Sequence, residues 1–212
     1  MTEKNQMKFI ELLCSKLCHD LISPIGAISN GLEFLEQEDN DLNEEAMKLV
    51  KKSSRQAAKK LAYYRIALGT AGSENFIQCD TVVDLIEKFS VEKNLVINWS
   101  GLEDNAQSKF KKSSGKLLLN LALISFDSLP RGGQVKITLS KNSETPDMVI
   151  SFSGENCNLH KDVRTVLEND ISEDLLTVRN ILAFYCKQLA LLCSKKIEIQ
   201  EVFKNRVVLK VV

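Results

Sequence analysis

Apolar residues recur at helical spacing along residues 7–37. Cys14, Leu21, Ile28 and Leu35 repeat every seventh position, with Leu17, Cys18, Ile25 and Leu32 beside them. A stripe this wide is a seam plus a flank, broad enough for a bundle core. The polar stretch EQEDNDLNEE then interrupts the period. Within it, Asp41 followed by Glu44 has the spacing of a capping box and predicts a helix start. A second seam runs through Met47, Val50, Ser54, Ala57, Leu61, Tyr64 and Leu68, and GTAGS at 69–73 stops it. Two long antiparallel helices joined by a short loop are expected over residues 1–72. Two helices alone cover two broad stripes poorly. The pattern therefore predicts a two-fold homodimer, in which a second copy of the chain completes a four-helix bundle.

From residue 76 the periodicity changes. FIQCD and LVINW read as strands, and TVVDLIEKF between them reads as a helix. Residues 113–128 form an apolar helix stopped by LPRGG. Alternation at Val135, Ile137 and Leu139, and again at Met148, Ile150 and Phe152, predicts two further strands. A helix is expected over 172–193, with Leu175, Val178, Leu182, Tyr185, Leu189 and Leu192 on one face. The closing KKIEIQEVFKNRVVLKVV reads as a hairpin that turns near Lys204 and Asn205. The expected class is α+β: a helical-hairpin domain at 1–72, and a domain of helices layered on a mixed sheet at 73–212.

Composition narrows the function classes. The 212 residues carry 28 Lys and Arg against 28 Asp and Glu, spread along the chain, so no electrostatic footprint for nucleic acid is present. No apolar run is long enough for a signal peptide or a membrane span, and a cytoplasmic location without membrane attachment is the default expectation. Six cysteines are expected to be reduced and buried in such a compartment. Cys14 and Cys18 share a helix face, as helical metal ligands do. No second close pair answers them, so core packing is the expectation and metal binding the distant alternative.

One of the two histidines, His19, stands out. With Cys14 as the first heptad position, His19 falls on the sixth, opposite the seam and facing water. It is then either a solvated surface residue or a reactive one. Asp20 follows it, Ser15 and Ser23 lie one turn away on either side, and Lys16 is near. Pro24 removes the backbone donor for the carbonyl of residue 20, so a kink or local loosening is expected there. Gly26 and Gly31 weaken the same helix by ~1 kcal/mol each. Such a local cost is typical of functional sites. An imidazole is mostly neutral at pH 7, and a neighbouring carboxylate can hold one ring N–H and leave the other nitrogen free to attack phosphorus.

The block CHDLISPIGAISNGLEFL (18–35) resembles the phospho-acceptor box of sensor histidine kinases. It resembles more closely the bacterial ChpT-like histidine phosphotransferases, whose near-signature is LCHDL-SP-GAI-NGLE. YYRIALGTAG (63–72), KLLLNLALISFDSLPRGG (116–133) and the C-terminal helix and hairpin extend the likeness to essentially the whole chain. The resemblance implies a homodimer with a central four-helix bundle and lateral domains like a degenerate kinase ATPase domain. It implies that His19 takes a phosphoryl group from the receiver domain of a hybrid histidine kinase and passes it to the receiver aspartate of a response regulator. Asp20 would be its acidic helper, and Ser23 and Pro24 would shape the docking site. Lys16 and Arg65 would add positive charge for docking, or Arg65 would pair with an acid between domains. Lys59 and Lys60 could also contribute charge beside His19, but read rather as a solvated helix face, and His160 as an exposed loop residue. No cofactor of its own is implied; Mg²⁺ is expected on the partner receiver.

Loss of ATP binding has a basis in the residues. VISFSGENCNL holds one glycine, Gly154, and residues 155–175 hold none, so no glycine-rich loop is present to admit phosphates to backbone amides. Asn120 is all that remains of a Mg²⁺-binding helix and reads as a structural remnant. Two rivals stay open at this level: an ATP-dependent histidine kinase core, and a non-catalytic dimeric adaptor that binds a receiver.

Overall fold

The computed structural model describes residues 3–36, 40–70, 74–102, 109–140, 143–203 and 205–212. Its first element, α1, is one helix from Glu3 to Glu36, and α2 runs from Asn40 to Ala67. The helix start expected at Asp41 is one residue late, and the side chain of Asp41 lies outside the described residues, as do residues 71–73 of the stop signal. The two helices pack along their length. Small residues let them approach: Gly31, Ala46, Ser53 and Ala57 are all buried. At Gly31 a Cβ would stand 2.6 Å from Cγ2 of Val50, so this glycine has a packing reason.

The covered face differs from the expected seams. Of the α2 seam only Ala57 and Tyr64 are buried, and of the α1 seam and flank only Leu21. The expectation that the cysteines are buried holds for Cys79 and Cys186, while Cys14 and Cys18 are exposed on the single chain. The reason is geometric. Two helices can cover one stripe between them, and periodicity finds apolar positions without saying which are covered within a single chain.

Beyond the hairpin, β1 (Phe76–Gln78) pairs antiparallel with β3 (Lys109–Lys111). A five-stranded sheet has the order β2 (Leu95–Ser100), β4 (Gly133–Leu139), β5 (Met148–Ser153), β7 (Arg206–Val211), β6 (Ile197–Phe203). β2 is parallel to β4 and the remaining pairs are antiparallel. Alternation aims one face inward: Ile137, Ile150 and Leu209 form a single buried cross-strand row. The hairpin turn uses Asn205 at φ +70°, while Lys204 lies outside the described residues.

Helices α3 (Cys79–Val91), α4 (Lys112–Asp127), α5 (Lys161–Glu168) and α6 (Ile181–Leu192) complete the layer. In α4 every residue from Ser114 to Phe126 is buried. A helix covered on all sides must have structure all round it. Here α4 touches β5, α3 and α6 as well as α2. Tyr63 and Ala67 at the base of α2 join the same core. The Tyr63 hydroxyl donates to the Leu119 carbonyl at 2.8 Å. Near the start of α1, Phe9 packs on Phe184 and Tyr185 with ring centroids 5.8 and 5.9 Å apart.

Two expectations need correction. The helix expected over 172–193 begins only at Ile181. Ahead of it, Asn180 accepts from the Thr177 amide at 2.8 Å and donates to the Leu175 carbonyl at 3.2 Å. Such local bonds compete with a helix ladder, and Leu175 is left 63% exposed. Helix α5 was not expected at all. It is capped by His160, whose Nδ1 accepts from the Asp162 amide at 3.2 Å.

Candidate functional site

His19 lies midway along α1, with its side chain 80% exposed against 14% for Asp20. Its Nδ1 is 3.2 Å from Oδ1 of Asp20. Among the described residues, Nε2 makes no hydrogen bond. Asp20 is held from several sides. Lys16 Nζ reaches both carboxylate oxygens, at 3.1 and 2.8 Å. The Tyr64 hydroxyl donates to Oδ2 at 2.5 Å. Lys60 Nζ donates to the Asp20 backbone carbonyl at 2.7 Å. That carbonyl is the one Pro24 cannot bond, because proline has no N–H. At the expected kink or loosening, α1 continues as helix to Glu36, with a cation from α2 in place of the missing donor. Lys60 is half-buried against α1 rather than on an open helix face, and Lys59 pairs with Glu92 at 2.6 Å.

Two opposing effects set the charge on Asp20. Partial burial disfavours it. Bonds from Lys16, Tyr64 and His19 outweigh burial and hold the carboxyl below its ordinary 3.8. Lys16 mirrors this: burial pulls its ammonium down, but Asp127 and Asp20 together lift it above 10.5. A lowered carboxyl pKa stabilises the fold above the unfolded value, and that contribution is lost as pH falls through the folded value. In urea unfolding, the stability gap between the parent chain and Asp20→Asn is expected to be full at neutral pH and to close only below about pH 4. A gap unchanged down to about pH 3 would argue against a charged Asp20.

Two clefts meet at His19. One, of about 620 Å³, lies between α1 and the α/β layer, where Ser15, Lys16 and His19 face Asp127, His160 and Arg179. The other, of about 630 Å³, is rimmed by Lys16, Lys59, Lys60, Lys93 and Arg131, with Asp20, Glu92 and Asp127 among them. Asp127 ends α4 and joins the helices, 2.8 Å from Lys93 and 3.5 Å from Lys16. The site thus presents one nucleophilic nitrogen, a fixed carboxylate behind it and cations around it. This arrangement can receive an anionic phosphoryl group on nitrogen.

Comparison with known proteins agrees with this chemistry. Residues 80–202 match the family described as "Histidine phosphotransferase C-terminal domain". The protein phosphotransferase ChpT of Brucella abortus (strain 2308) is 35% identical over 190 residues, covering 89% of this chain and 88% of that protein. The chain belongs to the ChpT-like histidine phosphotransferase family. A bacterial phosphotransferase solved at 1.7 Å superposes with a TM-score of 0.86 at 30% identity, over 100% of this chain and 98% of that one. The activity of this histidine phosphotransferase is phosphotransfer in a phosphorelay.

The other residues singled out in the phosphotransferase sequence fall in different places. Ser23 is exposed one turn beyond His19, while Pro24 is buried. Arg65 is exposed and lines neither cleft. It borders an apolar groove of about 560 Å³ with Ile10, Leu13, Leu17, Leu61 and Leu68. Tyr64, Lys93, Asp127, His160 and Arg179 were not foreseen at the site, and Lys60 only as the lesser of two readings. Val163, Val166 and Leu167, spaced three and four apart, were the available signal for α5 and hence for the position of His160. Among the described residues no group of three or more His, Cys, Asp and Glu could hold a metal ion, and no helix is long and apolar enough to cross a membrane.

Asn120 is fully buried on α4. Its Nδ2 donates to the Ala67 carbonyl at 3.0 Å and the Lys116 carbonyl at 2.8 Å. One turn earlier, Lys116 Nζ donates to the Gly69 carbonyl. These bonds fasten the end of α2, whose last carbonyls have no partner within the helix. Asn120→Ala is expected to lower unfolding stability by about 2 kcal/mol, since it leaves a buried carbonyl unbonded. It is expected to leave phosphotransfer by the folded protein unchanged, measured side by side with chemical denaturation.

Proposed function

We propose that His19 carries the phosphoryl group of this relay, that two chains pair their hairpins into a four-helix bundle, and that the donor and acceptor are receiver-domain aspartates rather than ATP. The observation that carries the reading is the exposed His19 imidazole, with Nδ1 turned to a fixed carboxylate and Nε2 turned outward. Nε2 attacks phosphorus in line, the N–P bond forms, and the acyl P–O bond of the donor breaks. The donor aspartate leaves as a carboxylate. The ring then carries positive charge, which Asp20 stabilises at Nδ1. In the second step the acceptor carboxylate attacks, the N–P bond breaks and His19 returns to its starting state. The transition state is loose, so alignment and charge neutralisation dominate. Lys16, Lys60, Lys93 and Arg131 suit the acidic phosphorylation site of a receiver. Mg²⁺ belongs to the receiver in this scheme. Support for the dimer comes from the uncovered apolar stripe, where Ile10, Ile25, Leu32 and Leu61 are each about half exposed.

The test is to incubate the protein with a phosphorylated receiver domain in the absence of ATP. Acid-labile phosphate on His19 is expected, followed by its appearance on a second receiver. Incorporation of label from ATP into the isolated protein overturns the reading.

A further inference from the structure

We propose that Tyr64 is a positioning residue for the transfer: its hydroxyl pins the Asp20 carboxylate so that His19 keeps the tautomer with a free Nε2. This deepens the proposed function and rests on His19 as the carrier.

The two oxygens of Asp20 have separate partners. Oδ1 faces His19 Nδ1 at 3.2 Å, and Oδ2 receives the Tyr64 hydroxyl at 2.5 Å. The last torsion of an aspartate is broad and soft, so the side chain alone would not hold its oxygens in place. Lys16 contacts both oxygens, and so neutralises the group without distinguishing them. Tyr64 contacts only one. It comes from α2, 44 residues away, and is nearly fully buried. Its ring stands edge-on to Tyr63, with centroids 6.4 Å apart, and Tyr63 is itself bonded to α4 through the Leu119 carbonyl. One turn before Tyr64, Lys60 holds the Asp20 main chain. Helix α2 thus grips the residue beside His19 at both backbone and side chain. Burial and the neighbouring Asp20 raise the Tyr64 phenol above its ordinary range, so it remains a donor at physiological pH.

The chemical consequence is selective. Which ring nitrogen of a histidine is protonated is set by the bond the other one makes. With Oδ1 held toward Nδ1, the proton stays there and the Nε2 lone pair is available. If the carboxylate turns away, the ring populates the other tautomer, whose Nε2 bears hydrogen and cannot attack.

Tyr64→Phe removes the hydroxyl and keeps the ring. Transfer from a phosphorylated receiver is expected to slow about tenfold, as follows when one orienting hydrogen bond is lost. The KM for the receiver is expected to stay unchanged. The nitrogen NMR spectrum of His19 is expected to change from the Nδ1–H form to a mixture. In an Asp20→Ala background, Tyr64→Phe is expected to have no additional effect on the rate, because its effect passes through Asp20. An unchanged tautomer in Tyr64→Phe overturns the proposal. So does a further loss of rate in the Asp20→Ala background, which would mark Tyr64 as a packing residue only. If the parent chain carries no phosphate on His19, the functional reading itself falls. Phosphorylation of His19 that is indifferent to Tyr64→Phe overturns only the positioning role.

Discussion

His19→Ala is expected to take no phosphoryl group from a receiver domain, while its fold, assembly and unfolding midpoint match those of the parent chain. The loss in transfer should be at least about 10⁴-fold, because the nucleophile itself is gone. The structural effect should be small, because the side chain is 80% exposed and its hydrogen bond is to a carboxylate held independently by Lys16 and Tyr64. Surface substitutions of this kind change stability by about 0.5 kcal/mol or less. The second histidine is the natural control. His160→Ala removes a helix cap and should destabilise by about 1 kcal/mol, yet leave the protein able to be phosphorylated. Acid-labile phosphate on the two variants, measured with matched denaturation curves, decides between them. Phosphate on His19→Ala would displace His19 from the centre of the mechanism. An adaptor that only binds the receiver would show no difference between His19→Ala and the parent.

Leu61→Glu is expected to give a folded single chain of 23.8 kDa where the parent gives a mass of two chains. Leu61 is 50% exposed on its own chain, so a carboxylate there meets water in an isolated copy. Leu61 lines an apolar groove between α1 and α2, which a second copy would cover in a paired bundle. An unpaired charge buried in that setting costs several kcal/mol, and two-fold symmetry introduces it twice. Light scattering across a dilution series measures the effect directly, since dimer stability depends on concentration. A variant that keeps the two-chain mass would show that this groove is not where the copies meet.

The sequence made some of this legible. A seven-residue repeat was enough to place His19 opposite the apolar seam, because facing water is a property of one helix. Strand alternation identified the inward side of the sheet for the same reason. What stayed hidden depended on pairs far apart in the chain. Nothing in the local pattern links Tyr64 or Lys60 to Asp20, 44 and 40 residues away. Tyr64 looked like one more seam residue, and Lys60 like a solvated charge. The split of the expected 172–193 helix was also hidden. Asn180 bonds the backbone around it, and apolar spacing cannot register that competition. The unforeseen α5 is a different kind of miss: its apolar spacing was present, but the segment is short and otherwise polar.

The proline beside His19 has one more consequence. Its helix lacks an internal bond at Asp20, and the substitute donor belongs to another helix. A nascent or partly unfolded chain, in which α1 is not yet laid against α2, carries the same histidine without the lysine or the tyrosine that steady its neighbour. Such a chain has the acceptor atom but not its alignment. Under the proposed mechanism, alignment of His19 therefore arises only once the hairpin closes.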